Sequence, residues 1–389
     1  MTAIPENILK NRVFPSRVIA FNEQLPGTLG FGPDAREVAP IGAVVRENGD
    51  VALSMYAPEA KKVSVARLID KAVFELTKDG NGLWSGIMAF ETPGPKALDF
   101  YVDGVLVLNP YAPIYFGYSR PVNYVDIPDH DQDFFLIKEV PHGTVSHEVY
   151  YSAVTGDWET CVVYTPPGYG SSGAEYPVLY LQHGAGENEN CWVWQGKVNF
   201  VADNLIAEGK TVPCVIVMNN GMVRPTEKGT GRGWDAFGDM LLYDCMPFIE
   251  RKYRVRNDKW NRAMAGLSMG SMQTSKLTMS HPDKFGYIGL FSCFLRTLGA
   301  SFEDCGYLKA LDDLPQFEKE FRLLFRGWGD QDDFVQHILE DDQFLASKGA
   351  SPEAFGIHKR IVYRGAHDWY VWRLCIHDFL PLLFRTDSK

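Results

Sequence analysis

Ala265-Gly266-Leu267-Ser268-Met269-Gly270 contains a G-x-S-x-G run, and its reading decides the fold. The pattern is the sequence form of a nucleophile elbow, a sharp strand-to-helix turn that lifts a serine oxygen into a cleft. Arg262 to Ala265 is short and mostly apolar, as a buried strand would be, while Met269 to Ser280 lacks proline and can continue as a helix. Glycine on both sides of Ser268 removes Cβ atoms that would otherwise collide in the strained turn. A glycine-flanked serine also occurs in ordinary turns, so the rest of the chain has to supply the partners of a nucleophile.

Those partners are a base, an orienting acid and an anion hole, in the chain order Ser, Asp or Glu, His. Downstream, Arg322-Leu323-Leu324-Phe325 reads as a buried strand that stops at Gly327-Trp328-Gly329-Asp330-Gln331-Asp332-Asp333, a glycine-rich turn loaded with carboxylates. Ile361-Val362-Tyr363 is a further short strand, followed by Gly365-Ala366-His367-Asp368-Trp369 and an amphipathic helix. His367 therefore sits on a loop leaving a strand, where an imidazole can reach Ser268. His130, His142, His147, His281, His337, His358 and His377 read as surface or core residues without chemistry. Among the acids, Gly329 permits a tight turn that brings Asp332 back toward the base, whereas Asp330 stays close to the strand exit. Asp368 adjoins His367 and reads as a loop-stabilising residue. Upstream, Tyr176 to Gln182 is a near-continuous apolar run, as in a strand buried on both faces, and it ends at His183-Gly184-Ala185-Gly186. The loop after such a strand donates one backbone N–H to an oxyanion, from Ala185 or Gly184, and Met269 donates the other.

With these residues in place the chain resembles carbohydrate esterase family 1, the feruloyl esterase group of the α/β-hydrolases, which is similar to the esterase D and siderophore esterase families. The resemblance runs from about Tyr176 to Phe384 and includes Asn199 to Lys210, Val215 to Gly221, the elbow and His367-Asp368-Trp369. It implies Ser268 as nucleophile, His367 as base and Asp332 as acid. The sequence departs from the family at Glu187, where a second glycine is often found, and at Ser271, where another glycine is usual. Neither removes a catalytic group, but Glu187 would alter the shape or polarity of the acyl pocket. The resemblance also implies hydroxycinnamoyl esters of plant cell-wall oligosaccharides as substrates, with acetyl or siderophore esters as the alternative. No metal or organic cofactor is required. Trp192, Trp194, Trp234 and Trp369 flank the cleft-forming loops and are candidates for stacking on an aromatic acid or a sugar. An acyltransferase would use the same triad, and a glycan-binding module would dispense with it.

The first part of the chain has no long helical pattern. Val51 to Tyr56 and Lys62 to Ala66 read as strands, Asp79-Gly80-Asn81-Gly82 as a turn, and Leu98 to Leu108 as a hairpin around Asp103-Gly104. Through Trp84, Asp103-Gly104 and Asn109-Pro110 this half is similar to early-set, immunoglobulin-like domains that precede glycogen-branching enzymes and some esterases. Aromatic residues in short strands are more often core than binding platform, so bracing is favoured over glycan binding. The expected architecture is a doubly wound α/β-hydrolase sheet over residues 147–389, preceded by an all-β sandwich over 1–125 and a solvated linker over 126–146. Asp129 to Asp133 alternates aspartates without the central glycine and distal glutamate of a calcium loop.

A net charge of −11 and the lack of a basic stripe argue against a nucleic-acid partner. No apolar stretch is long enough to span a membrane, and Met1 to Glu6 lacks the features of a secretory signal, so a cytoplasmic location is expected, with secretion as the alternative. The seven cysteines lack C-x-x-C spacing and read as reduced small hydrophobes. The expected partner is a small-molecule or oligosaccharide ester, with homo-oligomerisation left open.

Overall fold

The computed structural model describes residues 28–29, 36–37, 42–46, 48–68, 71–231, 236–292 and 294–385. The chain divides into two units, 1–137 and 138–389.

In the first unit, Ala43–Val45, Val51–Tyr56, Leu83–Met88 and Thr77–Lys78 form a four-stranded antiparallel sheet in that order. A six-stranded antiparallel sheet runs Ile114–Gly117, Arg120–Ile127, Gly94–Val102, Val63–Arg67, Val73–Glu75, with Val105–Val107 also paired to Gly94–Val102. Alternate residues point the same way in a strand. Val51 and Leu53 from one sheet, and Val63, Val65, Leu98 and Phe100 from the other, accordingly meet in one buried cluster. Trp84 lies in that core and its indole N–H donates to Ala57 O at 2.9 Å, as its position in a strand led one to expect. Asp103 and Gly104 both have positive φ, 49° and 84°, the backbone of a two-residue hairpin turn.

The expected linker over 126–146 is corrected at both ends. Arg120–Ile127 carries the strand past Asp126, and Thr144–Ser152 already belongs to the second unit's sheet. Between them Phe134 and Phe135 are buried, because two adjacent aromatic rings lose too much favourable burial if left in water.

The second unit is built on an eight-stranded sheet: β1 (Thr144–Ser152), β2 (Asp157–Thr165), β3 (Val178–Gln182), β4 (Val215–Asn219), β5 (Arg262–Leu267), β6 (Tyr287–Phe291), β7 (Leu323–Gly329) and β8 (His358–Tyr363). Their spatial order is β1-β2-β4-β3-β5-β6-β7-β8. Strand β2 is antiparallel to β1 and β4, and all later pairings are parallel. Every residue of β3 to β6 is buried, and all but Gln182, Asn219 and Arg262 are apolar or small, the composition of strands covered on both faces. One face carries Met240, Leu241, Cys245, Met246 and Ile249 against Val163, Tyr180, Val217 and Met264. On another part of the sheet Phe379 packs its ring 5.6 Å from Phe291 and 5.4 Å from Phe325. The parallel strands all point their carboxyl ends to one edge, so the loops that follow β3, β5, β6, β7 and β8 converge there.

Candidate active site

The turn after β5 places Ser268 at φ 51° and ψ −118°, a strained conformation for a residue with a Cβ, directly before α1 (Met269–Ser280). Both flanking glycines are required by space. A Cβ on Gly266 would lie 2.4 Å from Gly270 O, and one on Gly270 would lie 2.6 Å from His183 O. Ser268 N donates to Phe291 O at 3.0 Å, which fixes the turn to the neighbouring strand. Ser271 donates from Oγ to Ser268 O at 2.7 Å and accepts from Phe294 N at 3.1 Å, so the serine found in place of the usual glycine braces the elbow.

His367 and Asp332 reach Ser268 from the loops after β8 and β7. His367 Nε2 is 3.0 Å from Ser268 Oγ, and Nδ1 is 3.0 and 2.9 Å from the two oxygens of Asp332. A carboxylate only accepts, so the imidazole proton belongs on Nδ1 and Nε2 is left to accept from the serine hydroxyl. Asp332 is 2% exposed. Burial pushes its carboxyl up, but the hydrogen bond and charge of His367, the Phe334 N–H and the Ser292 hydroxyl together hold it below the ordinary carboxylate value. Asp330 instead accepts from Gly365 N at 2.9 Å, bracing the loop that carries the base. Asp333 is exposed. Asp368 caps α2 (Trp369–Phe379), accepting from Tyr370 N and Val371 N, which is the loop-stabilising role expected of it.

On the anion-hole side the expectation for Gly184 is corrected. Its N–H donates to Glu187 Oε2 at 2.9 Å and is therefore occupied. No acceptor among the described residues takes the N–H of Ala185 or of Met269. The Met269 N–H directly follows the elbow serine, and Ala185 follows Gly184, where a Cβ would lie 3.5 Å from Ser268 Cβ. His183 anchors this loop: Gly221 N donates to its Nε2 at 2.8 Å, and its Nδ1–H donates to Gly184 O at 2.8 Å. Burial drives its pKa down to about 4, so the imidazole is neutral, as both bonds require.

The tryptophans are also revised. Trp192 is 1% exposed and donates to Gln182 O at 2.8 Å; Trp369 is 5% exposed and donates to Glu187 Oε1 at 2.8 Å. Their rings meet edge to face at 5.2 Å. Both are thus built into the wall beneath the site and do not present an open ring face, because their large apolar surfaces gain more from burial beside the sheet. Trp194 is half-buried, and Trp234 lies outside the described residues. Ser292, just after β6, escaped sequence reasoning. Its Oγ donates to Asp332 Oδ2 at 2.7 Å and accepts from the Trp372 indole at 2.9 Å. No local motif marks it, since its role arises only when the ends of β6 and β7 lie side by side.

A family model described as "Putative esterase" matches residues 152–382. The chain belongs to the Esterase family. The chain is 34% identical over 356 residues, 88% of its length, to an endo-1,4-beta-xylanase/feruloyl esterase from Xylanibacter ruminicola, and covers 46% of that protein. The chain therefore spans less than half the length of that curated relative. Among solved structures, the feruloyl esterase module from Clostridium thermocellum, complexed with sinapinate, superposes with a TM-score of 0.54 at 23% identity, covering 67% of this chain and 94% of that one. The enterobactin esterase of Shigella flexneri superposes with a TM-score of 0.61 at 13% identity, covering 86% and 92%. At these identities the superpositions establish the shared α/β-hydrolase fold. Among the described residues no helix is long and apolar enough to cross a membrane.

Proposed function

We propose that this esterase is a serine carboxylic-ester hydrolase that releases hydroxycinnamic, feruloyl-type acids from plant cell-wall oligosaccharide esters. The observation that carries the chemistry is the unbroken hydrogen-bonded line from Ser268 Oγ through the His367 ring to Asp332. The substrate class is supported by the 34% identity with the xylanase/feruloyl esterase, which extends over most of this chain.

Ser268 Oγ attacks the ester carbonyl while His367 Nε2 takes its proton. The Met269 and Ala185 N–H groups receive the oxyanion, a contribution of about 3–4 kcal/mol per donor in comparable sites. Asp332 holds the ring and stabilises the imidazolium. The proton on Nε2 passes to the departing sugar oxygen, leaving an acyl-Ser268 ester. Water, deprotonated by His367, then attacks that ester, and the returning proton restores Ser268. The same reading takes the first unit as an early-set, immunoglobulin-like sandwich that braces the enzyme rather than binding glycan. Its Trp84 ring supports this, being spent on the core.

The test is a panel of soluble methyl esters differing only in the acyl group: methyl ferulate, methyl sinapate and methyl acetate. The expected result is a kcat/KM for the hydroxycinnamates well above that for acetate. A preference for acetate would overturn the acyl assignment and leave the serine mechanism standing.

A further inference from the structure

Glu187 takes no part in the proton path above, yet its carboxylate lies beside the nucleophile. Oε2 accepts from Gly184 N at 2.9 Å and Oε1 from the Trp369 indole at 2.8 Å. A Cβ built on Gly184 would be 3.4 Å from Glu187 Oε2 and 3.5 Å from Ser268 Cβ, so carboxylate and nucleophile flank the same peptide. Gly184 immediately precedes the oxyanion donor Ala185, and Trp369 follows His367 by two positions. One side chain thus ties the loop after β3 to the segment that carries the base.

We propose that Glu187 is a positioning residue: its two-armed carboxylate fixes the Gly184-Ala185 peptide so that the Ala185 N–H faces the oxyanion as it forms. The inference rests on the esterase reading given above. A carboxylate suits the place because both of its oxygens only accept, and both neighbours are donors. A glutamine offers one acceptor oxygen and turns its NH₂ against an N–H, so one arm is lost without a change of volume. The titratable groups that act on the carboxylate or are acted on by it are His367, with Asp332 behind it, and Cys191 at the start of the short helix Cys191–Trp194; Glu189 on the same loop also acts on Cys191, while its own carboxylate accepts from Thr160 Oγ1. Burial raises the Glu187 carboxyl to about 7, opposed by the Gly184 N–H, the Trp369 indole and His367. Protonation occupies one oxygen and slackens the clamp, so its benefit is present above that value and fades below it.

The experiment compares the full chain with Glu187→Gln and Trp369→Phe on methyl ferulate, at about pH 8 and about pH 6. Glu187→Gln is expected to lower kcat roughly tenfold at the higher pH with KM within about twofold, the pattern of an interaction made in the transition state. The deficit narrows at the lower pH. An arylboronic acid, whose tetrahedral adduct on Ser268 mimics the oxyanion, binds more weakly by a similar factor, while free ferulate binds as before. Wild-type kcat and boronate affinity in folded Glu187→Gln would overturn the proposal. So would an equal loss at both pH values together with lost ferulate binding, which is what mere structural damage produces. If Glu187→Gln does not fold, Trp369→Phe decides: it removes one donor and keeps a ring, and a folded protein with unchanged kcat and boronate affinity would overturn the clamp. An inactive wild type would defeat the esterase reading itself; an active wild type with indifferent Glu187 and Trp369 variants defeats this inference alone.

Discussion

Three donors converge on the buried Asp332 carboxylate, from His367, Ser292 and the Phe334 backbone, and this separates it from the neighbouring aspartates of the same turn. Asparagine at 332 keeps the shape but favours the wrong imidazole tautomer, a loss of about ten-thousand-fold in kcat in the well-studied serine protease case. A loss of orders of magnitude is therefore expected for Asp332→Asn, with far smaller effects for Asp330→Asn and Asp333→Asn, read as kcat on a soluble ester. The reverse ranking would move the acid. At this scale much was legible: G-x-S-x-G marked Ser268, and the spacing after Gly329 pointed to Asp332. Ser292 was not, because a serine after an apolar strand looks like any other until two strand ends are adjacent. Gly184 misled for a related reason. Its amide looked available until the Glu187 side chain folded back onto it.

Strand β7 runs through Gly329, where the glycines alone suggested a stop at Gly327. The glycines in it serve close approach within the sheet and not chain reversal. A Cβ on Gly327 would lie 2.8 Å from Cys375 Sγ, and one on Gly329 would lie 2.1 Å from Gly365 O. Gly329→Ala is expected to push apart the loops that carry Asp332 and His367. It should cost about 1–3 kcal/mol in urea unfolding and reduce kcat as well. An alanine variant with wild-type stability and turnover would contradict this packing. His183 makes a pH prediction for the loop it anchors. Its folded pKa of about 4 lies below its ordinary 6.5, so between those values the unfolded chain binds the extra proton, and stability falls as pH falls through that window. His183→Asn should lose stability at neutral pH but show a shallower decline from about pH 6.5 to about pH 4 in urea titrations. His358, also driven down to about 4, keeps part of the slope. An unchanged slope would mean that His183 is not held neutral. The apolar runs of β3 and β5 were readable from sequence because parallel strands buried on both faces are apolar along nearly all of their length, Gln182 and Arg262 standing only at the strand ends.

For the whole molecule, the sequence announced an all-β half followed by an α/β half, since period-two patterns and glycine turns gave way to apolar runs alternating with helical segments. The boundary was harder to read. Acidic residues from Asp126 onward suggested a solvated linker, while the paired strand and the buried Phe134 and Phe135 show how local composition yields to pairing and burial. All proposed catalytic groups lie in the unit 138–389. A chain of those residues should turn over a small soluble ester with kcat within about threefold of the full chain, the loss falling instead on solubility or on affinity for polymeric substrate. A folded fragment with a greatly reduced kcat on the small ester would show that the chemical step needs the first unit. The central claim is that Ser268 is the nucleophile of an ester hydrolase. The most direct test measures ferulate released from methyl ferulate by the wild type and by Ser268→Ala, with the fold of each checked by circular dichroism and thermal melting. Release by the wild type and its near-complete loss in a normally folded Ser268→Ala protein is the predicted result; wild-type-like release by that variant would contradict the account.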